Sequence, residues 1–268
     1  MSANEFLSAA CAVAREAGEI LSEGFGAAGQ IEFKGAVDLV TEYDHESEAH
    51  ILARLHDLYP QHAIRAEEGG LAVSSDESPF EWLVDPLDGT TNFAHGFPFF
   101  AVSIALLEAG RPIVAAVVDP VRDELFAATA KADATLNGVP IRVSSVDRLE
   151  RALLATGFPY DVRTHPRNNM AEFNRMALRA QGVRRAGAAA LDLCYTACGR
   201  LDGFWELRLH PWDVAAGGLI VQAAGGKVTD IENSDEWLSA IAIVASNGRI
   251  HAQMLAALQG EGEKQNAP

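Results

Sequence analysis

The chain has 268 residues, of which 49% are hydrophobic and 22% are charged. This composition can supply a substantial core, and it excludes extensive disorder. The formal net charge of -16 repels nucleic-acid backbones and anionic lipid, so it argues against binding of either through the general surface. No apolar run approaches the roughly 20 residues of a membrane span.

The first half of the chain predicts two helices followed by strands. An amphipathic helix with a Ser2/Glu5 capping box is expected from about Asn4 to Gly24. After an extended segment around "IEFKG", a second helix is predicted in "TEYDHESEAHILARLHDLYP", which ends at Pro60. The strands "HAIRAEE" and "EWLVD" follow, each ending in acids. From Phe100, three apolar runs separated by turns predict an antiparallel meander.

In the second half, helices and strands alternate. The segment "THPRNNMAEFNRMALRAQG" predicts a helix ending at Gly182, and a buried helix follows around Cys194 and Cys198. The strand "GFWEL", the helix "PWDVAAGGLIVQAAGG", the strands "KVTDI" and "AIAIVAS" and a helix from about Arg249 complete the order. The mixture predicts a layered α+β architecture in one unit, residues 1–268, with a disordered tail at 259–268. Three cysteines form no paired framework, so we interpret the helical pair as core and expect a cytoplasmic location.

Acidic residues occur where the predicted strands end or the helices begin. They are Glu67, Glu68, Asp85, Asp88 and, just behind Pro211, Asp213. Singly, each has a structural explanation as a turn residue, a helix-start charge or a solvated acid. However, the Gly89-Thr90-Thr91 segment after Asp88 would open a short helix whose N–H groups bind a phosphoryl group. Phosphate beside several acids requires cations between them, and hard oxygen ligands favour Mg²⁺.

The spacing of the two aspartates distinguishes two phosphatase chemistries. Phosphatases of the haloacid-dehalogenase type carry an aspartate nucleophile in D-x-D-G-T after a strand. This chain has D-P-L-D-G-T, with one residue more. We therefore interpret Asp85 as a metal ligand rather than a nucleophile.

Two long segments, "WLVDPLDGTTNFAHGFPFFAVSIAL" and "PWDVAAGGLIVQAAGG", closely resemble the inositol monophosphatase family of Mg²⁺-dependent, lithium-sensitive sugar phosphatases. The resemblance extends from "KGAVDLVTEYD" through "AEEGG" to the last strand. It implies a layered αβαβα sandwich of the inositol monophosphatase and fructose-1,6-bisphosphatase type, and a homodimer.

The resemblance also implies a centre of two to three Mg²⁺ ions. One ion would be held by Glu67, Asp85 and the carbonyl of Leu87, a second by Asp85, Asp88 and Asp213, and a weaker third would lie near Glu67. The nucleophile would be a metal-activated water aligned by Glu67 and Thr90. Asp44 would hydrogen-bond Thr90, the backbone of Gly89 and Thr90 would bind the phosphate, and Glu68 would support the ligands from outside.

On the substrate side, the resemblance implies hydroxyl contacts with Asp88, Gly187, Ala189, Glu206 and Asp213. Lys34 and Asp38 match a mobile family loop over the third metal, and a charged surface turn is the alternative. Ala188 departs from the Ser or Thr of many members, and Ala66 and Gly69 depart from the common sequence around the paired acids. His210 would line the pocket or pack behind it, and His95 is interpreted as structural.

The expected function is therefore Mg²⁺-dependent hydrolysis of inositol 1-phosphate or a related small polyol phosphate. The alternatives are a histidinol-phosphate phosphatase, a fructose-1,6-bisphosphatase or broad sugar phosphatase, and a non-catalytic, metal-binding regulatory protein on the same scaffold. The expected partner is a small phosphorylated polyol, with neither membrane nor nucleic acid involved.

Overall fold

The computed structural model describes residues 2–26, 31–33, 39–73, 78–238 and 241–260. Lys34 and Asp38 of the expected loop lie outside these residues, as does segment 261–268 of the expected tail. Among the helices described, none combines the length and the apolar character needed to span a bilayer.

Seven helices are described, and local sequence signals account for where several of them begin. They are α1 (Ala3–Gly24), α2 (Glu42–Leu58), α3 (Thr90–Ala94), α4 (Met170–Ala177), α5 (Ala189–Ala197), α6 (Pro211–Ala223) and α7 (His251–Leu258). The predicted capping box of α1 is confirmed, because Ser2 and Glu5 exchange hydrogen bonds. Thr41 caps α2, and Pro211 occupies the first turn of α6.

The described strands form three sheets. The strands are β1 (Ile31–Phe33), β2 (Leu39–Thr41), β3 (Ala63–Ala66), β4 (Gly70–Val73), β5 (Phe80–Asp88), β6 (Ala101–Glu108), β7 (Arg111–Asp119), β8 (Glu124–Thr129), β9 (Thr135–Leu136), β10 (Val139–Pro140), β11 (Leu153–Thr156), β12 (Gly182–Arg184), β13 (Gly203–Leu207), β14 (Lys227–Thr229) and β15 (Ala242–Ser246). The large sheet has the order β10-β9-β8-β7-β6-β5-β3-β4, the second has the order β12-β11-β13-β15-β14, and β1 pairs with β2. The predicted meander is confirmed as the antiparallel strands β6, β7 and β8.

Helices and sheets are stacked in five layers. α1 and α2 cover one face of the large sheet, and α5 and α6 lie between its other face and the second sheet. α4 and α7 pack together beyond the second sheet. This is the predicted αβαβα arrangement, which gives each apolar face a partner.

The three cores follow from the alternation of side chains along the strands. In β5, Trp82 and Val84 face α1 and α2, whereas Leu83 faces the central helices. In β13, Phe204 belongs to the central core and Trp205 to the core under α4 and α7. The predicted packing role of Cys194 is confirmed, because its side chain is fully buried in the central core.

The helix predicted to end at Gly182 is wrong in its extent, because α4 covers only Met170–Ala177. Asn169 precedes it with a φ of 68°, so the helix cannot extend backwards through that residue. At the other end, the N–H groups of Gln181 and Gly182 both donate to the carbonyl of Ala152. Pairing with β11 thus takes the backbone into β12, and this long-range contact is not visible in local periodicity.

Candidate active site

The edge of the large sheet brings two of the acidic segments to the same level. β3 and β5 are parallel, with Ala66 opposite Val84, so Glu67 and Asp85 each follow an equivalent position. β5 pairs with antiparallel β6 through Asp85 and Asp88, and the register shifts between these two residues. The strand therefore carries a bulge at the D-P-L-D segment, which explains the additional residue between the aspartates.

Both aspartates of this bulge are buried and receive backbone hydrogen bonds. Asp85 accepts from the N–H of Leu87 at 3.1 Å. Asp88 accepts from the N–H of Ala189 at 3.1 Å and from that of Ala190 at 2.7 Å, one on each oxygen. Asp88 thus ties the large sheet to the first turn of α5, in the layer between the two sheets.

Asp213 reaches the same region from the first turn of α6. Its Oδ2 accepts from the N–H of His210 at 2.7 Å, which satisfies one helix-start donor. Burial raises the pKa of Asp213 well above its usual value, and repulsion from Glu67, Asp88 and Glu206 raises it further. The interpretation of Asp213 as a helix-start charge is therefore confirmed, and Asp213 also lies close enough to the other acids to be repelled by them.

The four acids influence one another electrostatically. The pKa of Asp85 is raised well above its usual value, first by burial and then by repulsion from Glu67, Asp88 and Asp213. Burial raises the pKa of Asp88 to about 6, against the N–H donors that lower it. Asp85 and Asp213 therefore lie close enough to the other acids for repulsion to disfavour their charged forms.

This donor set fits a hard divalent cation chemically. Within the described ranges, no three His, Cys, Asp or Glu side chains are grouped closely enough to form a ready metal cage. Four mutually repelling carboxyl groups, supplied by β5, α6 and the turn after β3, nevertheless offer only oxygen ligands. A cation among them would offset both the repulsion and the burial penalty, as in Mg²⁺ sites.

Residues of helix α2 hydrogen-bond the bulged segment that carries Asp85 and Asp88, and the threonine that follows it. Thr90 Oγ1 lies 3.0 Å from Asp44 Oδ1 and 3.1 Å from the carbonyl oxygen of Leu87. The other oxygen of Asp44 accepts from both the N–H and the hydroxyl of Thr41. Ser47, one turn on, donates to the carbonyl of Pro86 at 2.9 Å.

Glu48 was missed by the sequence analysis. Its carboxylate accepts from the N–H of Glu68 at 2.8 Å and is close to Gly69, so it fixes the turn that carries Glu67. Burial raises its pKa. The available signal was its spacing, because Asp44 and Glu48 are four residues apart and therefore lie on one helix face.

The loop before α5 lies against the start of α3. Gly89 has a φ of 95°, and a side chain there would meet the carbonyl of Phe99, Ala188 and the carbonyl of Gly187. Asn92, also missed in the sequence, donates to the carbonyls of Phe99 and Ala186. The phosphate-binding segment expected at Gly89 and Thr90 thus lies beside the expected substrate contacts, Gly187 and Ala189.

Glu206 ends the cluster on the second sheet. It is 8% exposed, and burial raises its pKa to about 8, with repulsion from Asp88 adding to the rise. Asp192 of α5, which was not predicted, is also buried, and its pKa is raised well above the usual value by burial and then by repulsion from Glu206. Arg185 is the basic residue that opposes both effects.

The two histidines of the sequence analysis lie at the surface. The His210 ring stacks on Trp212 with centroids 4.6 Å apart and an interplanar angle of 14°. This contact is the packing alternative for His210, although the ring remains exposed. His95 follows the last residue of α3, where it is also exposed.

Comparison with known proteins identifies a family over nearly the whole chain. The model of the inositol monophosphatase family matches residues 2–263. A Synechocystis protein named inositol-1-monophosphatase is 49% identical over 235 residues, which cover 87% of this chain and 82% of that protein. A Pseudomonas aeruginosa protein named Nus factor SuhB is 46% identical over 260 residues, covering 94% and 95% of the two chains.

Solved structures agree with these sequence matches. The inositol monophosphatase from Anabaena (Nostoc) superposes with a TM-score of 0.87 at 43% identity, covering 96% of each chain. The inositol monophosphatase from Thermotoga maritima superposes with a TM-score of 0.87 at 33% identity, covering 97% of this chain and 99% of that one. The fold, the nearly full-length match and the acidic centre lead to one conclusion: this chain belongs to the inositol monophosphatase family.

Proposed function

We propose that this protein is a Mg²⁺-dependent phosphomonoesterase that hydrolyses inositol 1-phosphate or a related small polyol phosphate. Membership of the family supports a phosphatase activity. The observation that carries the finer proposal is the mutual repulsion of Asp85, Asp88, Asp213 and Glu67 around one buried region. Buried or partly buried carboxyl groups that repel one another destabilise the folded protein, and divalent cations bound among them would offset that repulsion.

Two to three Mg²⁺ ions would be held by these acids together with the carbonyl of Leu87. Glu67, Asp85 and Leu87 would hold one ion, Asp85, Asp88 and Asp213 a second, and Glu67 would lie near a third. When bound, the ions supply Lewis acidity and neutralise the charge that develops on the phosphoryl group. Glu68, on the same turn as Glu67, would support the ligands from outside.

The protein's own contribution to water activation would come from Thr90 and Glu67. A hydroxyl has one donor and two acceptor lone pairs. Since the Thr90 hydroxyl donates towards Asp44 or Leu87, its lone pairs are available to accept a hydrogen bond from a water. Asp44 would thereby orient Thr90, and Thr90 together with the Glu67 carboxylate would align the water for attack on the phosphorus.

Substrate recognition would use both sides of the pocket. The N–H groups of Gly89 and Thr90 would bind the phosphate, while Asp88, Gly187, Ala189, Glu206 and Asp213 would meet the polyol hydroxyls. Ala188 has no hydroxyl of its own and is buried against Gly89, so it would offer the sugar no hydrogen bond. Histidinol phosphate and fructose 1,6-bisphosphate remain the alternative substrates, because they require the same metal centre and a different pocket wall.

A second candidate function is regulatory. Several relatives of 42–46% identity carry the name Nus factor SuhB, including those of Vibrio cholerae and Escherichia coli. We propose that any such role in this chain is added to catalysis, because a protein acting only through its surface would not need a set of carboxyl groups that repel one another. We also propose that two copies of this chain form a homodimer and that the protein is located in the cytoplasm.

The decisive experiment measures phosphate release from inositol 1-phosphate, histidinol phosphate and fructose 1,6-bisphosphate, compared by kcat/KM. The expected result is turnover with Mg²⁺, none with a chelator, and inhibition by lithium, with inositol 1-phosphate preferred. Absence of phosphate release from every substrate at saturating Mg²⁺ would refute the catalytic proposal and favour the regulatory one.

A further inference from the structure

Asn169 is a buried amide that the proposed mechanism does not use. It is 0% exposed and lies just before α4. Its φ of 68° is a conformation that costs free energy for most side chains and that asparagine tolerates best after glycine. A strained, fully buried polar residue indicates that surrounding contacts hold it in place.

Those contacts join two strand ends of the second sheet. Asn169 Nδ2 donates to Thr156 Oγ1 at 2.8 Å and to the carbonyl of Gly157 at 2.6 Å, while its Oδ1 accepts from Trp205 Nε1 at 2.8 Å. The Thr156 hydroxyl in turn donates to the carbonyl of Trp205 at 2.6 Å. One amide therefore fixes the end of β11 against β13 with both of its donors and its acceptor.

Both strand ends are in contact with Glu206 or adjacent to it. Trp205 directly precedes Glu206, and because side chains alternate along a strand, the two point to opposite faces of the sheet. A methyl group added at Gly157 would overlap the Glu206 carboxyl group, so this carboxyl rests directly on the Gly157 backbone. Any displacement of Gly157 or Trp205 would therefore move Glu206.

We infer that Asn169 is the positioning residue for Glu206, and that it thereby sets the selectivity of this site for phosphate esters that carry neighbouring hydroxyl groups. The inference rests on the proposed function, in which Glu206 meets the polyol. The Asn169 side chain hydrogen-bonds Thr156, Gly157 and Trp205 rather than Glu206 itself, so it would act through the backbone of Gly157 and through Trp205.

The test compares inositol 1-phosphate with p-nitrophenyl phosphate, an ester without vicinal hydroxyl groups. Asn169→Gly retains the positive φ and removes the amide, so it separates the hydrogen bonds from backbone strain. We expect the ratio of kcat/KM for the two esters to fall roughly tenfold, the factor expected for one mispositioned hydrogen bond. The loss should occur mainly in KM for inositol 1-phosphate. Gly157→Ala, which displaces the carboxyl directly, should lower the ratio in the same direction.

The chain supplies a matched control in Asn247, at the opposite end of the same sheet. It is 4% exposed, and its amide donates to Ser144 Oγ and the carbonyl of Val146 and accepts from the N–H of Arg249 and Ile250. Asn247→Gly removes a comparable set of hydrogen bonds far from Glu206. It should lower the melting temperature without changing the ratio of the two esters.

A double-mutant cycle with Glu206→Gln tests whether Asn169 acts through Glu206. We expect Asn169→Gly to change the ratio much less in the Glu206→Gln background. An equal loss for both esters, an equal change of the ratio in Asn247→Gly, or full additivity with Glu206→Gln would each overturn the inference. If the wild-type protein hydrolyses neither ester, the proposed function fails separately. The same comparison is then made by equilibrium binding of the two esters, and an unchanged binding ratio in Asn169→Gly would overturn the inference as well.

Discussion

Replacing Glu206 by glutamine should stabilise the metal-free protein at high pH and leave its stability unchanged at low pH. Burial raises the pKa of Glu206 from an ordinary 4.5 to about 8, so the folded state retains a proton that the unfolded chain loses. Below about pH 4.5, both states are protonated and the residue makes no pH-dependent contribution. As pH rises from 4.5 towards 8, the unfolded chain ionises first, and the free energy of unfolding decreases. Glutamine has no proton to lose.

The size of this effect follows from the same shift. A pKa rise of about 3.5 corresponds to an upper limit of about 5 kcal/mol, at about 1.4 kcal/mol per pH unit. Because water and neighbouring side chains relax around an ionised carboxylate, we expect about 2–3 kcal/mol in practice. The side chain is only 8% exposed, so solvent does not screen the effect further.

The assay is urea unfolding in a chelator at several values between about pH 5 and pH 8.5, a range that covers the titration. The difference in the free energy of unfolding between Glu206→Gln and the wild-type protein should be near zero at the acidic end and should increase steadily with pH. Glu232→Gln, at an exposed glutamate, is the control and should show no such trend. A difference that does not vary with pH, or a variant less stable than wild type at the alkaline end, would refute the reasoning.

Three further predictions concern the acidic centre. Asp213→Asn should lower turnover at least about 10³-fold, because it would remove a ligand of the proposed metal ion and the charge stabilisation that this ion supplies. The amide oxygen can still accept from the N–H of His210, so helix α6 should remain folded, and circular dichroism would verify this. Asp88→Asn should lower turnover similarly and should melt at a lower temperature than Asp213→Asn, because its NH₂ would face one of two N–H donors. Equal melting temperatures for the two variants would contradict this difference. Mg²⁺ should raise the melting temperature of the wild-type protein, and a chelator should reverse the rise. The melting temperature of Asp213→Asn should rise much less with Mg²⁺. An equal rise in the variant would show that Asp213 is not a metal ligand.

The extent to which the fold could be predicted depended on how local each signal was. The capping box at Ser2 and Glu5, the proline at the start of α6 and the strand "GFWEL" are encoded by neighbouring residues, and the structure confirms them. The end of the helix predicted up to Gly182 was wrong, because pairing between β11 and β12 determines it. Periodicity describes one segment at a time and cannot register such a pairing.

The same distinction applies to the candidate site. The acids at strand ends carried a pattern in the sequence, since several carboxylates beside a phosphate-type turn are electrostatically incompatible without a cation. Asn92 and Asn169 carried no comparable pattern, and Glu48 carried only its spacing of four residues from Asp44. Each binds backbone groups of a segment distant in the chain, and a helical glutamate or a loop asparagine has many ordinary explanations.

Several side chains outside the acidic centre stabilise the segments that carry its carboxyl groups. Burial raises the pKa of Asp85, Asp88, Asp213 and Glu206, and repulsion between acids adds to the rise for Asp85, Asp213 and Glu206. Side-chain hydrogen bonds hold the backbone beside these acids. The side chains of Ser47, Asn92 and Asn169 donate to backbone carbonyls, and the carboxylate of Glu48 accepts from the N–H of Glu68. If the proposed cations bind among these acids, their charge would offset the repulsion. Their affinity would then depend also on the supporting side chains, which do not coordinate them.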